Sequence, residues 1–471
     1  MQNNSLKFGT SGLRGLSLEL KGGEARRYAL AFLRYLGEQG SSVSELYLAR
    51  DFRDSSSEIL RDCAAAAAIV GIRAVDCGAV PTPALALHAM AAGAPSIMVT
   101  GSHIPEDRNG LKFYLSSGEI SKADEDGILR QLRPVEAGDY AAPVRVEEAE
   151  ARERYVARYA RLLAPELLKG LRVGIFEHST VARDILGDIF RHCGAEIVPH
   201  GRAERFVAVD TEAFSDVVFQ PLAGWLEAYR LDAIVSADGD GDRPLLMDSQ
   251  GRFVRGDVLG LLTAAFLGAD TVVTPVTSNT AIEATEYFGQ TMRTRVGSPF
   301  VIEGMQAAVA TGSRRTVGFE ANGGTLLGNS IVMNGMTIEA LMTRDAVLPL
   351  LASFGAAASR GMSLSELVAS LPLRTALSGR LADVPAQAST RLLTSLRDDS
   401  YAATFFAEQG NIIRRADIDG LQFWLDNDIL YHFRPSGNAP ELRCYVEART
   451  GREAEAALAW GLAAAAKEVA V

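Results

Sequence analysis

Short apolar runs alternate with longer amphipathic stretches along most of the chain, and each switch between them is marked by glycine, proline or a polar cluster. The spacing predicts a strand over 46–49, a helix over 58–70 stopped by Gly71, a strand over 74–76, a helix over 83–92 and a buried strand over 97–99. After a charged stretch at 145–161, read as a helix, the alternation restarts: strand 171–176, helix from His178 to His192, strand 195–198, helix 222–229, strand 233–236. A third round runs through helix 256–267, strand 271–276, helix 280–288, strand 292–296, helix 299–310 and strand 315–319. Beyond about Gly361 strands crowd together (411–414, 422–425, 429–433, 442–448), and an alanine-rich helix over 453–469 closes the chain. Strand and helix in alternation imply α/β units with largely parallel sheets, and the dense final strands imply a smaller α+β unit. The expected domains are 1–150, 151–255, 256–368 and 369–471.

Each round discharges its last core strand into a polar loop, where α/β folds bind ligands. In the first, Ile97–Val99 stops at Thr100-Gly101, where Gly101 permits a tight turn, and delivers Ser102, with Pro105 barring a helix. His103, Arg108 and Lys112 give that hydroxyl cationic neighbours able to stabilise a phosphate ester or move a proton. An ordinary strand-to-loop turn accounts for this loop alone equally well. In the second, Asp238, Asp240 and Asp242 alternate with single glycines before Arg243. Each carboxylate pair repels by ~1 kcal/mol even in water, so the cluster calls for a cation, and hard oxygen ligands on a flexible backbone suit Mg2+. An EF-hand is disfavoured by Arg243 where glycine is required and Ser249 where glutamate is expected. In the third, Glu320 and Asn322 stand beside Gly323-Gly324 as donors and acceptors suited to sugar hydroxyls, although Glu320 serves equally as a helix cap.

The final strands empty into a fourth loop, in which Arg434, Ser436, Gly437, Asn438 and Arg443 offer guanidinium forks, a hydroxyl, an amide and backbone N–H groups for a phosphate dianion. The amino-terminal FGTSGLRG carries Arg14 between glycines and misses the GxGxxG spacing of a dinucleotide site.

Composition adjusts this picture without redirecting it. The 471 residues suggest about three domains, with two or four allowed. A net charge of −11 repels nucleic acid and anionic membranes, so a phosphorylated ligand must be held by locally concentrated cations and N–H groups. Cys63, Cys77, Cys193 and Cys444 are far apart and form neither a CxxC nor a metal spacing, as expected of reduced thiols. The amino terminus lacks the apolar core of a signal peptide, and no run reaches the ~20 apolar residues of a membrane span. A cytoplasmic protein, monomeric or homodimeric, is expected.

Taken in order, FGTSGLRG, TGSHIPEDRNGLK, DGDGDR, FEANGG and RPSGNAPELRCYVEA resemble the α-D-phosphohexomutase superfamily, most closely its bacterial phosphomannomutase/phosphoglucomutase members. The resemblance covers the whole chain. It implies four domains around a central cleft, three of related mixed α/β fold and a fourth like the TATA-box-binding protein. It implies that Ser102 carries a phosphoryl group, that Asp238, Asp240 and Asp242 bind an Mg2+ touching that phosphate, and that Arg243 and Arg14 steady the phosphoserine. His103 and Lys112 become the candidates for proton transfer, Glu320 and Asn322 the sugar readers, and Arg434, Ser436, Gly437, Asn438 and Arg443 the grip on the non-reacting phosphate.

The implied reaction interconverts hexose 6-phosphate and hexose 1-phosphate through hexose 1,6-bisphosphate. Many relatives have TASHNP for TGSHIP, GExSG for GFEANG and GTEP for GNAP. These departures leave the sugar open among mannose, glucose and glucosamine phosphates, with mannose favoured because the versions here look like those of mannose-assigned members. Two other classes compete: a phosphatase with an aspartyl nucleophile, which would release inorganic phosphate, and a silent sugar-phosphate-binding protein, which would have lost Ser102 or an aspartate. Neither loss is present, and Asp238 lies mid-chain without the remaining phosphatase signature.

Overall fold

The computed structural model describes residues 5–9, 12–135, 144–214, 217–436 and 440–470. They fall into two compact units: Met1–Val273 with Gly297–Val368, and Thr274–Val296 with Ala369–Val471.

Three mixed sheets are built on one plan. Ser96–Val99 pairs parallel with Glu45–Arg50 and antiparallel with Arg108–Leu115. Ala233–Ala237 pairs parallel with Arg172–Phe176 and antiparallel with Pro244–Asp248. Thr316–Phe319 pairs parallel with the strand beginning at Thr271 and antiparallel with Thr325–Leu327. These three central strands are buried along their whole length, which is why they read as mostly apolar rather than alternating. In each sheet the polar loop joins the last parallel strand to an antiparallel neighbour, a hairpin at the carboxyl end of that strand.

Several predicted elements differ. The stretch 145–161 is not one helix: Val144–Val146 joins the first sheet beside Arg73–Asp76, and the helix is Glu148–Tyr159. Its Val-Arg-Val start alternates at strand period, and that pairing wins. The helix expected from His178 begins at Arg183, because the preceding side chains bond elsewhere: Thr180 Oγ1 donates to the Asp238 carbonyl at 2.6 Å, and Ser179 Oγ accepts from Val207 N–H at 2.8 Å. The helix expected over 280–288 covers only Ala281–Ala284, and Glu286 turns left-handed at φ +54°. Two long helices, Glu24–Glu38 and Val347–Ser359, stand outside the predicted elements.

The second unit carries an antiparallel five-stranded sheet in the order Thr375–Leu381, Leu442–Ala448, Leu430–Pro435, Leu421–Leu425, Ile412–Ala416. Its core includes Phe406, Phe423, Tyr431 and Phe433. The helix Gly451–Val469 starts at a capping box in which Thr450 and Glu453 satisfy each other's N–H groups. Among the described residues no helix is long and apolar enough to cross a membrane.

Candidate active site

Ser102 sits fully buried in the hairpin between Ser96–Val99 and Arg108–Leu115, with a left-handed φ of +55°. A non-glycine residue there is strained and persists only when its surroundings hold it. Gly101, expected to supply the tight turn, is not left-handed. The hold comes from below. Arg53 donates to the carbonyls of Ser102 (3.0 Å), Ile104 (2.6 Å), Pro105 (2.6 Å) and Arg108 (3.1 Å). Asp51 pairs with Arg53 Nε at 3.1 Å and accepts from Thr100 Oγ1 (2.7 Å) and Ser56 Oγ (2.6 Å). Phe206 stacks its ring 3.8 Å from the Arg53 guanidinium. The Ser102 N–H donates to Thr100 Oγ1 at 2.8 Å, and its Oγ donates to Asp238 Oδ2 at 2.6 Å with His103 Nδ1 at 3.2 Å.

The structure therefore joins the serine loop to the aspartate loop, 136 residues apart in sequence. Asp238, Asp240 and Asp242 are all buried, with carboxylate oxygens within 4.8 Å of one another. Lys112 Nζ reaches Asp240 Oδ2 at 2.5 Å and Asp242 Oδ2 at 2.6 Å. Thr82 Oγ1 donates to Asp240 Oδ2 at 2.5 Å and its N–H to the Asp240 carbonyl at 2.9 Å. Burial, and then the charges of Asp240 and Asp242, push the Asp238 carboxyl well above the usual carboxylate range. Burial acts the same way on Asp242, but Arg344, Lys112 and Arg243 outweigh it and hold that carboxyl well below the usual range.

Asp240 Oδ1, Asp242 Oδ1 and Arg243 Nε are buried without a hydrogen-bond partner. Two carboxylate oxygens that accept no hydrogen bond on a cluster of three hard ligands fit a divalent cation, and the Arg243 Nε–H, which makes no hydrogen bond and lies 3.9 Å from Asp242 Oδ1, fits an anion beside it. Arg14, half-buried on the strand Leu13–Leu16, faces the same cluster; burial, then Arg243 and Arg344, lower its guanidinium to about 10. His103 is held well below its ordinary value by burial and by the charges of Arg243 and Arg14.

Glu320 and Asn322 occupy the third hairpin and are nearly inaccessible. Asn322 Oδ1 accepts from Gly324 N–H at 3.0 Å. Glu320 Oε2 accepts from Arg344 Nη1 at 2.9 Å rather than capping a helix. Arg344 also donates to Asp242 Oδ2 through Nη2 (2.8 Å) and Nε (3.2 Å). The first unit thus brings together Ser102, His103, Lys112, Arg14, Arg243, the three aspartates and Glu320.

The remaining predicted residues belong to the second unit. Arg434 and Arg443 face each other across neighbouring strands, and Arg380 lies opposite Arg443 on its other side. Like charges in register repel unless countered. Asp419 Oδ2 accepts from Arg434 Nε at 2.7 Å, and Glu441 approaches Arg380 at 2.9 Å and Arg443 at 3.5 Å. The Ser436 N–H donates to the Glu441 carbonyl at 2.9 Å. Gly437 and Asn438 lie outside the described residues.

Sequence reasoning missed Arg53, Asp51, Thr82, Arg344 and Arg380. Asp51 and Arg53 stand in the polar stretch just before the helix Ser56–Ile69, whose cap residue Ser55 makes no side-chain cap bond, and the pair serves the serine loop. Arg344 carried one signal, a charged Arg-Asp pair closing an apolar strand before an apolar helix.

Residues 5–138 match the phosphoglucomutase/phosphomannomutase alpha/beta/alpha domain I, and residues 255–374 match domain III of the same family. A phosphomannomutase of Sinorhizobium fredii is 48% identical over 97% of this chain and 98% of its own length. A phosphomannomutase of Salmonella muenchen is 41% identical over 96% of this chain and 94% of its own. The crystal structure of a phosphoglucomutase/phosphomannomutase family protein from Burkholderia thailandensis superposes with a TM-score of 0.76 at 22% identity, covering 98% of this chain and 97% of that one. Three α/β sheets each ending in a polar hairpin, followed by an antiparallel sheet, and full-length relatives well above 30% identity lead to one conclusion: the chain belongs to the phosphoglucomutase/phosphomannomutase family, the α-D-phosphohexomutases.

Proposed function

We infer that this chain is a phosphomannomutase, interconverting mannose 6-phosphate and mannose 1-phosphate through a phosphoserine at Ser102 and a hexose 1,6-bisphosphate. The observation that carries the reading is the Ser102 hydroxyl, buried and strained, 2.6 Å from Asp238 within a cluster of three aspartates. The identities of 48% and 41% to two phosphomannomutases favour mannose as the sugar.

In this reading phosphoserine gives its phosphoryl group to the free hydroxyl of the hexose phosphate. The P–O bond to Ser102 breaks, a P–O bond to the sugar forms, and the sugar's proton passes to a side chain. The bisphosphate turns end for end and returns its other phosphoryl to Ser102, releasing the isomer. Asp238, Asp240 and Asp242, with an oxygen of the phosphorylated Ser102, would hold Mg2+, which when bound offsets the negative charge of the phosphoryl oxygens. Arg14 and Arg243 steady the phosphoryl group in transfer. His103, whose Nδ1 lies 3.2 Å from Ser102 Oγ, and Lys112, whose Nζ reaches Asp240 and Asp242, are the two candidates to take the sugar's proton. Glu320 and Asn322 read the sugar hydroxyls, and Arg434, Ser436, Gly437, Asn438 and Arg443 take the non-reacting phosphate. The four domains, 1–150, 151–255, 256–368 and 369–471, would each contribute one of these loops.

Purified protein with MgCl2 and a trace of mannose 1,6-bisphosphate should convert mannose 1-phosphate to mannose 6-phosphate, followed by phosphorus NMR, faster than it converts the glucose or glucosamine analogue. Ser102→Ala should lower the rate by more than about a thousandfold. Release of inorganic phosphate in place of isomerisation, or turnover undiminished in Ser102→Ala, would refute the reading.

A further inference from the structure

Arg344 is the one group described above that grips both the aspartate loop and the sugar loop. It touches neither Ser102 nor a reacting atom in the arrangement described. Its guanidinium donates to Asp242 Oδ2 on one edge and to Glu320 Oε2 on the other. We propose that Arg344 is a positioning residue that couples cation binding at Asp238, Asp240 and Asp242 to sugar-phosphate binding at Glu320, so that each ligand tightens the other. The inference rests on the reading of those two sites given above.

Three observations make the link mechanical. Arg344 is 2% exposed and cannot swing into solvent. Its stem passes Gly324 so closely that an added Cβ there would lie 2.6–2.9 Å from Arg344 Cδ, Cγ and Cβ. The next residue, Asp345, is clamped by the hydroxyls of Tyr155 (2.8 Å) and Tyr159 (2.5 Å) and by the N–H groups of Val347 and Leu348. A planar guanidinium on so fixed a strand end responds to one carboxylate by changing its bond to the other.

The sign of the coupling follows from charge. Asp242 Oδ2 is occupied by Lys112 and Arg344, while Oδ1 accepts no hydrogen bond and has Arg243 Nε near it, at 3.9 Å, which leaves it able to take a cation. A cation held there offsets the charge of Asp242 and weakens its claim on Arg344. The guanidinium then favours Glu320, fixing the position of that side chain as an acceptor for sugar hydroxyls. Linkage requires the converse by the same factor.

The test is calorimetric titration of MgCl2 into the full chain carrying Ser102→Ala, which blocks turnover, with and without saturating mannose 1-phosphate. The sugar phosphate should tighten Mg2+ by about 5–10-fold, and in Arg344→Met the factor should fall below about 2-fold, with Arg344→Lys between. Because Arg344→Met risks misfolding, Glu320→Gln gives a second readout at the far end of the link. Without any sugar it should weaken Mg2+ by about 3-fold, since the freed guanidinium turns to Asp242. An equal coupling factor with and without Arg344, no coupling in the Arg344 chain, or an unchanged Mg2+ affinity in Glu320→Gln would overturn the proposal. Asp242→Asn separates the two layers: if it binds Mg2+ as tightly as its parent, the cation site itself is wrong, whereas if it loses Mg2+ while the coupling ignores Arg344, only the role of Arg344 fails.

Discussion

Replacing Arg53 should damage catalysis without touching a substrate. Its side chain is wholly buried beneath the serine loop, paired with Asp51 and donating to four carbonyls of the stretch 102–108. Arg53→Ala leaves the Asp51 charge buried without its cation, which costs about 3–5 kcal/mol. Water entering the vacated space would rehydrate some of the four carbonyls, so their loss adds little beyond that range. Arg53→Lys is the sharper probe, because it keeps the charge and loses the fork: an ammonium has three donors where the guanidinium has five. The left-handed Ser102, strained by about 1–3 kcal/mol, then relaxes away from its aspartate partner. A shift of about 1 Å at a reacting atom costs of order a hundredfold in rate. The lysine variant should therefore lose about 10–100-fold in kcat with KM for the sugar phosphate unchanged, and urea unfolding of the alanine variant should show the stability loss directly. Wild-type kcat in Arg53→Lys, or a loss confined to KM, would refute the account of how Ser102 is held.

The neighbouring Gly101→Ala change tests the same contact from above. A Cβ on Gly101 would lie 2.6 Å from Arg53 Cζ and 2.8 Å from Nε and Nη2, so about 1–3 kcal/mol of overpacking is expected in urea unfolding, with a kcat loss that is not additive with Arg53→Lys. Acid should weaken both units. Burial lowers His178 and His432 to about 4 from an ordinary 6.5, and in the neutral form each Nε2–H can donate to a carbonyl, of Ala237 (2.8 Å) and Asp419 (2.6 Å). Since the folded value lies below the unfolded one, this stability is whole above pH 6.5 and falls as the pH drops towards 4, by up to about 3 kcal/mol for each histidine. Urea midpoints taken at pH 7, 5.5 and 4.5 should fall less steeply in His178→Asn than in the parent; equal slopes would show that His178 is not buried neutral.

What the sequence disclosed and what it concealed divide along a physical line. The loops were legible because each carries its chemistry within a few residues: alternating aspartates and glycines need a cation whatever the fold around them. The central strands were legible because burial on both faces leaves mostly apolar runs without polar alternation. The short helix at Ala281–Ala284 was not, since apolar periodicity continues through a stretch whose backbone turns left-handed at Glu286. The supporting residues were hidden for another reason. Arg53 lies 49 positions from Ser102, Arg344 lies 102 from Asp242 and Thr82 lies 158 from Asp240, and no local pattern records such a contact.

The serine loop shows why those distant residues are needed. TGSH suggests that glycine takes the tight turn and leaves serine relaxed at the tip. In the structure the left-handed residue is Ser102 itself, while Gly101 is small because Arg53 lies against it. A strained reacting residue does not stay strained through its own sequence. It stays so because Arg53, Asp51 and Asp238 leave it no better conformation, so the segment that carries the chemistry and the segments that position it must lie apart along the chain.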